Sequence, residues 1–315
     1  MRIQLRLLKR EVNMSSIRDY LHNPIRIVLS LANHELINWV PDKVFLSMAY
    51  KARLGRPLRW NRLETFNEKQ QWLKLHDRKE AYTAMVDKYA VRNYISEKIG
   101  TEYLIPLYGV WSHVNEIDYS SLPSEFVIKC THDSGSAVIC RSKEDLNITE
   151  VNKLLHKALK RNFYWHSREW PYKNVPHRII AEALLKQKNG DEIVDYKLQC
   201  FNGCFDNTLI CTGRFSKTGV RYYYFDRDWK LLPYSIHNSE AQDFDRLKPQ
   251  KYSEMIRLAE KLSEGIPQLR VDLYEVDGKI YFGELTFFSQ GGCDSTITEE
   301  ADLILGRKLK LPIDQ

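Results

Sequence analysis

The stretch Arg270-Val-Asp272-Leu-Tyr-Glu-Val-Asp277-Gly278-Lys-Ile-Tyr-Phe-Gly283-Glu284-Leu-Thr286 decides how this chain is read. Asp277-Gly278 is a two-residue hairpin signal, because such a turn needs a positive φ that Asp tolerates and Gly adopts freely. The flanking runs predict two antiparallel strands, Arg270 to Val276 and Lys279 to Thr286. Those strands bring Asp272 and Glu284 near each other. Adjacent carboxylates are costly unless a cation lies between them, and Mg²⁺ is the hard cation that suits oxygen ligands. Register sets a condition on this reading. A strict two-residue turn pairs Asp272 with Gly283 and leaves Glu284 on the opposite face. One extra residue in the second strand corrects that, and an isolated strand glycine such as Gly283 often marks a bulge. The metal reading therefore requires a bulge at or beside Gly283. Without it the segment is a surface hairpin with scattered acids.

Moving outward, Phe126-Val-Ile-Lys129-Cys-Thr-His-Asp-Ser134-Gly135-Ser136-Ala-Val-Ile-Cys140 forms a second constellation. A strand carries Lys129, a small polar loop follows, and a second strand returns. Small residues let backbone N–H groups approach phosphate oxygens, and Lys129 adds a point charge. A plain hairpin with a solvated lysine fits the same pattern, which is neither a P-loop nor a GxGxxG turn. A third stretch joins Arg178-Ile-Ile-Ala-Glu182-Ala-Leu-Leu185 to Asp195-Tyr196-Lys197. Its apolar strand ending in Glu182 offers backbone groups to an adenine edge. Asp195 suits ribose hydroxyls and Lys197 suits phosphate. Alone, it is a buried strand followed by a charged one. Asp87-Lys88 lies in a helical pattern and alone carries no message.

Helical patterns run from Ile17 to Leu54, from Thr65 onward, and from Tyr82 to Lys98, closing near Gly100. Thr65 and Glu68 have the spacing of a capping box. After Leu104 short β-like runs take over at 126–130, 137–140, 178–185, 195–202, 209–213, 221–225, 270–276 and 279–286. Helices at 148–161 and 252–264 separate some of them. Hairpins with packed helices argue for α+β rather than a doubly wound parallel sheet. The expected organisation is a helical N-terminal region, residues 1–100, then residues 101–315 in two α+β subdomains of about 115–185 and 186–315.

The 315 residues are 43% hydrophobic and 28% charged, which excludes a disordered chain. A net charge of +6 suits an anionic ligand: a nucleotide, an acidic glycan or an anionic membrane face. It lacks the concentrated basic stripe of a nucleic-acid binder, so no nucleic-acid partner is expected. The cysteines form no CxxC pair, excluding a zinc ribbon, and read as reduced cytoplasmic thiols. Residues 1–10 are basic without the apolar run of a signal peptide. His22 to Val40 is apolar but interrupted by Arg26, Asn33, His34, Glu35 and Asn38. It reads as a packing helix, or as a surface helix resting on the inner face of a membrane, but not as a span.

In order, these pieces resemble an ATP-grasp enzyme. Asp87-Lys88 followed by Ile105-Pro106 resembles the start of that fold, and Lys129 with its loop resembles the strand lysine and the phosphate-covering loop. Glu182, Asp195, and Arg270 with Asp272 and Glu284 resemble the adenine, ribose and metal-binding positions. The texture is similar to the TupA-like branch, associated with teichuronopeptide and other polysaccharide biosynthesis. It shows in Thr65-Phe-Asn-Glu-Lys-Gln-Gln-Trp, Tyr103-Leu-Ile-Pro-Leu-Tyr-Gly-Val-Trp, Asp195-Tyr-Lys-Leu-Gln-Cys-Phe-Asn-Gly and Leu305-Gly-Arg-Lys-Leu. The resemblance implies an ATP-grasp fold of two α+β subdomains enclosing ATP. It assigns Lys88, Lys129 and Lys197 to the phosphates, with Ser134, Gly135 and Ser136 in the loop over them. It assigns Asp272, Glu284 and Thr286 to Mg²⁺, and Arg270 and Lys129 to catalysis. One departure stands at Thr286, where the family usually has asparagine; a hydroxyl is a poorer metal ligand than an amide carbonyl.

The implied activity is ligation of a carboxylate to an amine through an acyl phosphate, on a cell-surface polysaccharide or its precursor. Arg161-Asn-Phe-Tyr-Trp-His-Ser-Arg-Glu-Trp-Pro-Tyr-Lys173 mixes rings and bases, which suits stacking of an acidic sugar or, more plainly, core filling beneath a helix end. Two rival readings remain. Asp226-Arg-Asp228 is formally the DxD of a glycosyltransferase, although Asp favours turns. Thr286 also allows an ATP-grasp relic that binds without catalysis.

Overall fold

The computed structural model describes residues 25, 27–213 and 219–312. The expected helix from Ile17 and the basic run at residues 1–10 lie largely outside them. The chain forms two compact units. The first comprises Met1–Ala52, Lys79–Tyr94 and Ile105–Leu185; the second comprises Arg53–Arg78, Ile95–Leu104 and Lys186–Gln315. The helices before residue 105 are thus shared between the units.

The first unit holds a four-stranded antiparallel sheet built from β1 (Leu107–Trp111), β2 (Phe126–Cys130), β3 (Val138–Cys140) and β4 (Ile179–Glu182), in the order β1-β4-β2-β3. In β2, Phe126, Ile128 and Cys130 are buried while Val127 and Lys129 are less so, the period of two expected of a strand. The buried set joins Ile179, Ala181, Val151 and Leu155 in one core under the helix Ile148–Leu159. Lys129 therefore stands on the face away from that helix.

The second unit holds a six-stranded antiparallel sheet: β5 (Asp195–Phe201), β6 (Cys204–Thr212), β7 (Arg221–Phe225), β8 (Leu231–Leu232), β9 (Gln268–Val276) and β10 (Lys279–Thr286). Its order is β10-β9-β5-β6-β7-β8. The helix Tyr252–Ser263 packs on β5, β6 and β9, burying Met255, Ala259 and Leu262 with Leu269, Val271 and Leu273. Alternation then puts Arg270 and Asp272 on the other face. The capping box is present: Glu68 N–H donates to Thr65 Oγ1 at 3.2 Å, and Thr65 N–H to Glu68 Oε2 at 3.1 Å.

Three expectations need correction. The helix expected over Tyr82 to Lys98 is two helices, Ala81–Val86 and Val91–Lys98. Asp87 Oδ1 takes the Tyr89 N–H at 2.9 Å, and Lys88 N–H goes to Thr131 O, so a side chain and a distant strand capture the amides. The helical run to Leu54 breaks between Asn33 and Asp42, at left-handed Glu35 and at Pro41. Strand β1 was not expected, because Pro106 and Gly109 punctuate a run too short to show alternation.

His132 gives a testable consequence of this packing. Its ring stacks on His177 at 3.8 Å, and its Nε2 lies 3.1 Å from Ala158 O. Burial, then the neighbouring His177, push its pKa down to about 4. A histidine depressed in the folded state is protonated more readily in the unfolded chain. Stability is therefore complete above about pH 6.5 and falls as the pH drops toward 4. The loss expected is on the order of 2–3 kcal/mol, and His132→Gln should flatten this part of the curve. Thermal melts at pH 7 and pH 4.5 check it; equal slopes for both proteins would refute it.

Candidate functional site

The second unit builds its site on the hairpin β9–β10. Asp277 (φ 49) and Gly278 (φ 74) form the tight turn. Pairing runs regularly from Lys279 opposite Val276 to Phe282 opposite Leu273, then shifts, so that Glu284 stands opposite Asp272 and Thr286 opposite Arg270. Gly283 is the extra residue, and the bulge on which the metal reading depended is there. A Cβ at Gly283 would lie 2.9 Å from the Tyr274 ring and 3.0 Å from Asp272 O, so the chain approaches too closely there for a side chain. Across the sheet, β5 sets Lys197 opposite Asp272 and Gln199 opposite Arg270.

Asp272 is 1% exposed and held by two cations. Arg270 donates from Nε to its Oδ1 and from Nη2 to its Oδ2, each at 2.7 Å. Lys197 Nζ donates to Asp272 Oδ2 and also to Asp195 Oδ2, the latter at 2.6 Å. Arg270 further reaches Ser289 Oγ at 2.9 Å, Thr286 Oγ1 at 3.1 Å and Glu284 Oε1 at 3.5 Å. Burial works against the charge on both cations, but Asp272 and its neighbouring acids outweigh it, so Arg270 and Lys197 are both held protonated. The acids of the hairpin therefore coexist through cations of the protein itself, and a metal is not needed to hold them together. Three carboxylates (Asp195, Asp272, Glu284) face two cations, which leaves one negative charge. Glu284, with its side chain 44% exposed, is the most open of the pairs Arg270 makes.

In the first unit Lys129 Nζ pairs with Glu182 Oε2 at 2.6 Å, and Arg92 Nη1 lies 3.3 Å from Glu182 Oε1. The Glu182 carboxylate is thus engaged by two cations, while its position in β4 stands opposite Leu107 of β1 and Val127 of β2. Lys88 Nζ donates to Asp133 O, so it tethers the loop that follows β2. In that loop Ser136 Oγ accepts from Cys130 N–H at 2.9 Å and donates to Asp133 Oδ1 at 2.6 Å. Ser136 is buried as a staple of the loop, whereas Ser134 and Gly135 (φ 122) are exposed at its tip. Asp87, 1% exposed, pairs with Arg178 at 2.7 Å.

Three contributors escaped the sequence reading. Ser289 holds Arg270, Arg92 holds Glu182, and Arg178 holds Asp87; each comes from a distant segment, so spacing gave no sign of it. The rival DxD resolves as a turn: Asp226 Oδ1 accepts from Asp228 N–H at 2.9 Å and Lys230 N–H at 2.8 Å. The ring-rich segment 161–173 is largely structural, with Tyr164, Arg168 and Pro171 buried.

The model of the TupA-like ATPgrasp family matches residues 68–310, and the chain belongs to that family. No curated protein matches it significantly. Similar solved structures include D-alanine–D-alanine ligase from Bacillus anthracis complexed with ATP, at 13% identity over 65% of this chain and 55% of that chain, with a TM-score of 0.37. Another is N5-carboxyaminoimidazole synthetase from Staphylococcus aureus complexed with ADP, at 15% identity over 79% of this chain and 60% of that one, with a TM-score of 0.44. D-alanine–D-alanine ligase from Helicobacter pylori matches at 13% identity over 78% and 69%, with a TM-score of 0.40. The chain thus spans 55–69% of the length of these structures.

The donor set fits the Mg²⁺ that accompanies nucleotide in such a fold. Asp272, Glu284 and Thr286 offer only oxygen, with both oxygens of Asp272 also taking bonds from Arg270 and Lys197 and Glu284 the more open of the two acids. Among the described residues no group of three or more His, Cys, Asp or Glu is placed to hold a metal ion. Mg²⁺ is commonly held by only one or two carboxylates, with phosphate oxygens and water completing its shell.

Proposed function

We propose that this protein is an ATP-dependent carboxylate–amine ligase acting on a cell-surface polysaccharide or its precursor. The observation that carries the reading is the bulge at Gly283, which sets Glu284 beside Asp272 and Arg270 in a chain of the TupA-like ATPgrasp family. In this reading Lys129, Lys88 and Lys197 counter the charge of the triphosphate, Glu182 serves adenine and Asp195 serves ribose. Asp272 and Glu284, with Thr286 as a weaker ligand, would hold Mg²⁺, which would supply charge neutralisation at the phosphates. A carboxylate oxygen of the acidic glycan attacks the γ-phosphorus, and ADP departs with the electrons of the broken P–O bond. An amine then attacks the acyl carbon, inorganic phosphate leaves, and the amine's proton is lost. Arg270, fixed by Asp272 and Ser289, stabilises the negative charge that develops. The loop 131–136 closes over the phosphates and keeps water from the acyl phosphate.

Purified protein with ATP, Mg²⁺, acidic glycans and amino acids tests this through release of ADP and phosphate. ADP formation that requires both acceptor and amine is expected. Turnover of a sugar nucleotide without ATP, or ATP binding with no turnover for any acceptor, would reject the ligase. Lys129→Ala should cut turnover by at least about 10²-fold. Its fold should survive, because Arg92 remains on Glu182. Wild-type activity in that variant would remove Lys129 from the mechanism.

A further inference from the structure

Leu36 and Trp39 are the most exposed large apolar side chains among the described residues, at 63% and 80%, and Val44 nearby is 50% exposed. The turn that bears them is firmly held. The helix Ile27–Asn33 ends at left-handed Glu35 (φ 58). Leu36 N–H donates to Leu31 O and Glu35 N–H to Ala32 O, both at 3.0 Å, the paired bonds of a Schellman closure. The ring-rich segment fastens the polar side of this turn. Arg161 Nη2 donates to Asn33 O at 2.9 Å, and Asn162 N–H to Glu35 Oε1 at 3.1 Å. Arg168 Nη2 donates to Ile37 O at 3.1 Å and Val40 O at 3.4 Å. Arg168 is fully buried, its guanidinium 4.6 Å from the Phe45 ring and 4.4 Å from the Trp165 ring. Segment 161–168 thus acts as backing that keeps the turn in one shape with its apolar tip in solvent.

Charge indicates what covers the tip. Residues 1–26 carry Arg2, Arg6, Lys9, Arg10, Arg18 and Arg26 against Glu11 and Asp19 only. A second copy would bring the same positive charge and be repelled. An anionic bilayer suits both features, since tryptophan favours the headgroup layer and arginine meets lipid phosphate. Among the described residues no helix is long and apolar enough to cross a membrane. We propose that the turn Asn33–Val40 seats this protein on an anionic phospholipid surface, with Leu36 and Trp39 in the headgroup layer. The proposal is independent of the ligase reading.

The test is flotation of the full chain with phosphatidylcholine vesicles, with and without phosphatidylglycerol. The Trp39 emission is isolated as the difference between wild type and Trp39→Phe. Binding to the phosphatidylglycerol vesicles, a blue shift of that emission, and at least tenfold weaker partitioning of Leu36→Ser/Trp39→Ser are expected. Four results would overturn the proposal. They are absence of wild-type binding, equal binding by the double variant, and lipid-free dimerisation that the double variant abolishes. The fourth is a Trp39 emission already shielded from iodide without lipid, which would mean the chain covers its own tip.

Discussion

Glu284→Ala should lower acceptor-dependent ADP formation roughly 10³-fold while leaving the melting temperature nearly unchanged. The two halves of this expectation have separate causes. The Glu284 side chain is 44% exposed, and its pair with Arg270 is long, at 3.5 Å, so its removal costs little stability. Arg270 keeps Asp272, Thr286 and Ser289. What disappears is the accessible carboxylate that leaves the site net negative. Asp272→Ala would be a poorer probe. It would leave Arg270 and Lys197 buried without their shared partner, at a cost of roughly 3–5 kcal/mol, and lost activity would then report unfolding as well as chemistry. Full activity in Glu284→Ala would remove the hairpin from the mechanism, whatever the fold.

The largest effect on stability is expected at Gly306. It lies in the helix Glu299–Lys308, which packs on the start of the helix Phe66–His76. A Cβ at Gly306 would sit 2.2 Å from Glu64 O and 2.8 Å from both Phe66 N and Thr65 C. All three are backbone atoms and cannot rotate away. On an open helix surface Gly→Ala gains about 1 kcal/mol from propensity alone. Here the overlap decides the sign. Parting the helices would strain the Thr65 cap and the bond from Asn67 N–H to Asp302 Oδ1 at 2.8 Å. Gly306→Ala should therefore lose about 3 kcal/mol, and roughly 6–12 °C of melting temperature for a chain of this size. A melting temperature equal to or above wild type would show that the helices do not meet this closely.

Local chemistry was enough for much of this protein. The Thr65–Glu68 capping box, the Asp277-Gly278 turn and most of the strands follow from residues within a few positions of one another. The bulge at Gly283 was legible only as a condition of the metal reading, since only an added residue lets Glu284 face Asp272 when side chains alternate with a period of two. The candidate site residues were legible one by one, through charge type and place in a strand. Their partners were not. That Asp272 is gripped by Arg270 and Lys197, that Glu182 is shared by Lys129 and Arg92, and that Ser136 is spent inside its own loop are results of pairing across sequence gaps. The helix expected over residues 82–98 failed for the same reason: a carboxylate and a distant strand captured amides that local propensity had assigned to a helix. Sequence determined the elements and the donor types, because those depend on backbone preference and side-chain period. Tertiary structure alone decided which charges neutralise which, because that depends on distances that no spacing in the chain encodes.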